Sequence, residues 1–231
     1  MTGPWWLHLI WVLAATLLGF VLTAVFSGWM QLSRRIFLVV YLVSTGAFLF
    51  AFARWSRVDL GTLITQNWIW GVVAGVLVAT FLVINVRSQA DSQQLTGGAL
   101  FFDFTWLGLV YGLIDALFLN VMPVLAALQA TSQLGWTESW TGIIGAGVLG
   151  LGASLLVTAG YHLGYPEFRN STLGLVLAGN SLITLAYFLP GNPLGALISH
   201  TVMHIAAVNQ GPETTIQLPP HYSRPIQQAG K

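Results

Sequence analysis

The stretch "WWLHLIWVLAATLLGFVLTAVF", residues 5–26, contains no aspartate, glutamate, lysine or arginine. A helix needs about 20 mostly apolar residues to cross a hydrocarbon core about 30 Å thick, so this run is long enough to span. It has no basic segment before it and is longer than the roughly 7–15 apolar residues of a signal peptide. The reading is therefore a retained first membrane span.

The rest of the chain follows the same pattern. Of 231 residues, 55% are hydrophobic and 6% charged, against roughly 25% charged in soluble domains. Six further stretches have span-like character: 36–54, 67–86, 99–128, 140–161, 172–190 and 193–208. The fourth is long enough to tilt, to kink at Pro123, or to break in two. The seventh is short and follows the turn signal "LPGNP". The expected fold class is all-α, a polytopic transmembrane helix bundle of about seven spans. Residues 1–208 form one integral membrane helical domain. The proline-bearing tail 209–231 is expected to be an extended polar extension.

The main partner implied is the lipid bilayer. A net charge of +1 gives no basis for nucleic-acid binding. The chain has no cysteine, which excludes disulfides, thiolate metal sites and thiol nucleophiles. With seven spans, Arg34, Arg35, Arg87, Arg169, Arg224 and Lys231 collect on one side and Arg54 and Arg57 on the other. The positive-inside rule then places the C-terminus in the cytoplasm. Trp5, Trp6, Trp29, Trp55, Trp68, Trp70, Trp136 and Trp140 sit near expected span ends, where an indole ring favours the headgroup level.

Against this background several polar residues lie too deep. Ionisable groups inside a bilayer are costly and mark functional sites by default. Asp115 falls near the middle of the fourth stretch, in "VYGLIDALFLNV". Asp103 is nearer the start of that stretch, where it can face the interface. His162 ends the fifth stretch, in "LLVTAGYHLGY", and His200 and His204 occupy the seventh, in "LISHTVMHIAAV".

Residues four apart share a helical face, so His200 and His204 can chelate a metal, relay a proton or stabilise an oxyanion. They can equally serve the bundle as hydrogen-bonding groups, with Ser199 and Thr201 at hand. Tyr111 lies one turn before Asp115 on the same face, and Asn120 is expected on a different one. Gly142, Gly145, Gly147, Gly150 and Gly152 are read as close-packing positions. Asn180 and Ser181 either bond between helices or line the same cavity as the histidines.

The order of these elements resembles the CPBP intramembrane protease family, which includes the type II CAAX prenyl proteases and the bacteriocin-processing (Abi) proteins. The family carries EExxxR, FxxxH and HxxxN or HxxxD motifs on separate membrane helices, and the resemblance covers about residues 99–208. Asp115 stands for the first glutamate, Ala116 replaces the second, and Asn120 replaces the arginine. His162 is kept, with Thr158 in place of the phenylalanine. His200 is kept, and His204 replaces the asparagine or aspartate.

The resemblance implies that Asp115 activates a water, that the histidines assist it, and that residue 204 helps to hold an oxyanion. Alternatively, His204 adds a third imidazole to His162 and His200 around a divalent metal such as zinc, with Asp115 as an oxygen ligand. HExxH, which would bring its own general base, is absent.

Three functions compete. The first is a CPBP-like intramembrane peptidase or its non-catalytic relative, acting on a peptide or membrane-protein partner. The second is a non-enzymatic integral membrane subunit, a scaffold or a pigment- or haem-binding accessory protein of a larger complex; pigment binding predicts histidines facing lipid or a flat partner. The third is a proton-coupled transporter, which requires a helix broken near mid-membrane.

Overall fold

A computed structural model describes residues 3–89 and 96–211, and among these there is no strand. The helices are α1 (Trp5–Trp29), α2 (Arg34–Ser56), the short α3 (Leu60–Thr65), α4 (Trp68–Arg87), α5 (Gly97–Gln133), α6 (Trp140–Leu163), α7 (Thr172–Phe188) and α8 (Leu194–Gln210). Five of them, α1, α2, α4, α5 and α6, are long and apolar enough to cross a membrane. The last two expected spans form helices of 17 residues each. Most of the expected tail lies outside the described residues.

The fourth stretch does not break. α5 runs through 37 residues, and Pro123 is accommodated because the turn before it is π-helical. In the segment Ala116–Val121 the hydrogen-bond step lengthens to i→i+5, ending with Met122 N–H donating to Leu117 O. A second π segment, Phe104–Val110, lies one and a half turns earlier, and a third, Thr23–Trp29, closes α1.

The bundle has two ends, each tied by polar contacts. At one, Arg35 pairs with Asp103 at 2.8 Å, joining the starts of α2 and α5. There too Gln210 donates to Gln89 O at the ends of α8 and α4. At the other end Gln133 donates to Gly3 O, and Asn67 donates to Pro190 O. Asn192, in the α7–α8 turn, donates to the carbonyls of Leu63, Ile64 and Gln66. The major helices therefore alternate in direction.

α8 sits between α4 and α5, and glycine lets it approach both. A Cβ on Gly75 would lie 2.9 Å from Ile198 and 3.1 Å from Gly195 O. One on Gly112 would lie 2.8 Å from Thr201 Cα, and one on Gly108 3.0 Å from Ile205. "GVVAG" (71–75) and "GLVYG" (108–112) are thus two GxxxG faces, the first packed on the α7–α8 turn and the first turns of α8, the second on Thr201, His204 and Ile205 farther along it. Within the fifth stretch, Gly147 meets the Phe188 ring and Gly150 meets Val124, as close packing requires. Gly142 and Gly145 pack on Trp136, while Gly152 has open space.

Leu17, Val43, Phe50, Leu77, Ile84, Val148 and Leu175 are exposed on the outside of the bundle, the inverse of a soluble surface and what lipid contact requires. Of the eight tryptophans expected at an interface, Trp55 is packed against the core and the other seven are exposed.

Candidate functional site

The segment Ala116–Val121 decides how α5 presents its polar residues. In a regular α-helix, residues five apart point in different directions. The wider π turn returns position i+5 toward the face of position i, and such π bulges often mark functional sites. Asp115 and Asn120 consequently both reach His200 on α8. The expectation that they occupy different faces is corrected by this one local feature.

Asp115 Oδ2 lies 3.5 Å from His204 Nε2 and 4.0 Å from His200 Nε2, with all three residues buried. Its other oxygen, Oδ1, accepts a 2.6 Å hydrogen bond from the Tyr41 hydroxyl of α2. The rings of His200 and His204 stack with centroids 5.0 Å apart and planes 22° apart. Tyr111 packs edge-on to His204 at 4.8 Å. Its hydroxyl hydrogen-bonds that of Tyr161, which continues to Tyr165 at 3.0 Å.

A chain of buried hydrogen bonds fixes which nitrogen of His200 carries the proton. The Ser154 hydroxyl donates to Leu119 O at 2.7 Å, so its oxygen accepts from Asn180 Nδ2 at 2.9 Å. Asn180 Oδ1 then accepts from Asn120 Nδ2 at 2.8 Å. This turns Asn120 Oδ1 toward His200 Nδ1, 2.9 Å away. An amide oxygen only accepts, so Nδ1 is the donor, and in the neutral ring Nε2 keeps its lone pair. His162 follows the same logic: its Nδ1 lies 2.8 Å from Thr158 O, a carbonyl that only accepts.

A cavity of about 300 Å³ joins these groups. Asp115, His200, His204, His162, Asn180 and Thr158 lie on its wall, along with Tyr111, Tyr161 and Tyr165. Apolar residues of α4 and α7, among them Phe81, Leu82, Leu175 and Ile183, complete it. A polar centre within an apolar vestibule suits a mostly apolar ligand with one polar group.

The structure redraws the expected ligand set. Among the described residues, Asp115, His200 and His204 place ligand atoms within 4.8 Å of one another. His162 is not in that compact group. It sits at the end of α6, half-buried, with edge contacts to Tyr161 and Phe168. It shares the cavity wall rather than the cluster. The two α8 histidines face the bundle interior, where the pigment-binding alternative expects them to face lipid or a flat partner. Asp103, expected to face the interface, is buried near the start of α5 and paired with Arg35. Ser181 bonds Leu177 O on its own helix, and Ser199 bonds Gly195 O likewise, so neither serves the histidines.

Tyr41 and the positioning role of Asn120 escape a reading of the sequence. A tyrosine in the middle of an apolar run is a signal that its hydroxyl needs a buried partner, but nothing local says which. No protein-family model, curated protein or solved structure matches the chain.

Proposed function

We propose that this chain is an intramembrane peptidase of the CPBP type, which uses Asp115, His162, His200 and His204 to hold and activate a hydrolytic water. The observation that supports this reading is the convergence of a carboxylate and three imidazoles from α5, α6 and α8 on one cavity wall. Asp115, His162 and His200 are the positions at which the resemblance puts the family's three motifs, and they lie on three separate helices, as those motifs do in the family. Hydrolysis of an amide needs a held water, a base for its proton and a donor near the developing oxyanion.

In this reading, Asp115 Oδ2 and the α8 histidines hold the water beside the scissile carbonyl. His162 Nε2 accepts the proton as the water oxygen bonds to the carbonyl carbon. The same proton then passes to the amine nitrogen as the carbon–nitrogen bond breaks. Tyr111 and Tyr161 supply hydroxyl donors near the oxyanion. A divalent metal fits the donor set of Asp115, His200 and His204, and when bound would polarise the water or carbonyl.

The same proposal includes the membrane placement. Seventeen helical residues extend about 26 Å at about 1.5 Å each, close to the hydrocarbon thickness, so α7 and α8 complete a seven-pass bundle. The end carrying Arg34, Arg35, Arg87 and Arg169 is then cytoplasmic.

The test compares peptide termini in membranes from cells making the wild-type protein or Asp115→Asn at equal levels. A set of termini present with wild type and missing with the variant is expected. Identical sets would overturn the peptidase reading.

A further inference from the structure

We propose that Asp115, His200 and His204 form a binding site for one divalent transition-metal ion of the zinc class, with its fourth coordination position open to the cavity. Geometry comes first. In a tetrahedral site with bonds of about 2.0–2.1 Å, neighbouring ligand atoms stand about 3.4 Å apart. Asp115 Oδ2 stands 3.5 Å from His204 Nε2 and 4.0 Å from His200 Nε2. All three ligand atoms fall within 4.8 Å of one another. Closing the site shortens the 4.0 Å separation by about 0.6 Å and the widest one by up to about 1.4 Å, within the reach of rotations about the histidine and aspartate side-chain bonds.

The second argument is the outer layer. Ligating imidazoles commonly donate their far N–H to an oxygen, and ligating carboxylates are themselves hydrogen-bonded, which fixes tautomer and aim. Asn120 provides this for His200, with its amide locked by Asn180 and Ser154. Tyr41 provides it for Asp115, occupying Oδ1 and leaving Oδ2 inward. The Nε2 atoms of the two stacked α8 rings both lie on the Asp115 side, 4.0 and 3.5 Å from its Oδ2.

Chemistry selects the metal class. Two imidazoles and one carboxylate, in a chain without cysteine, are the donor set of a catalytic zinc site that keeps one position for water. The soft ligands that select copper(I) are absent from the cluster. A dication also balances a carboxylate buried among imidazoles, which otherwise stands in a medium that solvates it poorly. The inference stands on the ligand geometry and does not need the peptidase reading, so metal binding and hydrolysis can fail separately.

The experiment measures metal in the full-length protein purified in detergent, stripped with chelator and reloaded with zinc or cobalt(II). About one zinc per chain is expected, with the visible absorbance of tetrahedral cobalt in the cobalt form. His204→Asn, which keeps a polar side chain in the same space, should weaken binding at least tenfold, and His200→Ala likewise. Ser88→Ala, in the exposed turn just after α4, should leave it unchanged. Size-exclusion profiles identify any variant that does not fold. The wild-type stoichiometry decides alone in that event, and less than one-tenth of an ion per chain after loading overturns the proposal. Wild-type occupancy that His204→Asn leaves undiminished overturns it as well.

Discussion

Asn120 shows how much one amide controls. Its oxygen fixes His200 and its nitrogen is held by Asn180, all within a buried network. Asn120→Ala should therefore act in two ways. It leaves His200 Nδ1 and Asn180 Oδ1 without their partner, a cost of about 1–3 kcal/mol, read as a lowered unfolding temperature in detergent. It also frees the His200 ring, and loss of such an outer partner costs about 10–100-fold in metal affinity or activity. If metal binding and activity survive at wild-type levels, the tautomer argument is wrong. Tyr41→Phe removes the single hydroxyl that holds Asp115 Oδ1. It should reduce activity with little effect on the melt, since the ring keeps its packing against Phe37 and Phe118. At this scale the sequence was partly legible. Asp115, His162, His200 and His204 stand out because ionisable groups in apolar runs are conspicuous. Tyr41 and Asn120 do not, because their partners come from elements 74 and 80 residues away in the chain.

Among the elements, α8 and the π turn of α5 carry the arrangement. Lipid offers little hydrophobic drive for helix association, so close packing by small residues has to provide it. A Cβ on Gly195 would lie 1.8 Å from Ala186 O, a backbone atom that cannot move aside. Gly195→Ala should pry α8 from α7 and give an aggregated or low-melting protein. Gly152→Ala and Gly174→Ala meet nothing within 4 Å. They should be neutral or stabilising by up to about 1 kcal/mol, since alanine is the better helix former. Equal melting temperatures for Gly195→Ala and Gly152→Ala would contradict the packing described. The fifth stretch is the richer in glycine, yet Gly75 of α4 and Gly108 and Gly112 of α5 are the ones packed on the helix that bears the histidines. Helix existence was legible from apolar length. The π turn was not, because the added residue of a bulge has no hydrophobic period of its own, and that turn is what unites Asp115 with Asn120.

At the level of the whole molecule, two tied ends and an apolar exterior describe a bundle made for a bilayer. Because the chain lacks cysteine, single cysteines can report its sidedness without background. Ser88→Cys and Ser171→Cys, on exposed turns of one end, should react with a membrane-impermeant thiol reagent from the cytoplasmic side. Leu60→Cys and Glu138→Cys should react from the opposite side. Labelling of Ser88→Cys and Leu60→Cys from the same side would contradict the crossing of α4. Composition made the membrane class plain and the five longest helices follow from it. Helices of 17 residues stand at the edge of spanning length, so the sequence could not decide their number of crossings.

The most direct measurement incubates membranes bearing wild-type protein or Asp115→Asn in water enriched in oxygen-18 and sequences the new peptide C-termini. Hydrolysis at the Asp115 site predicts C-terminal carboxylates carrying one oxygen-18, formed with wild type and missing with the variant. Labelled termini that form equally with both proteins would contradict the account.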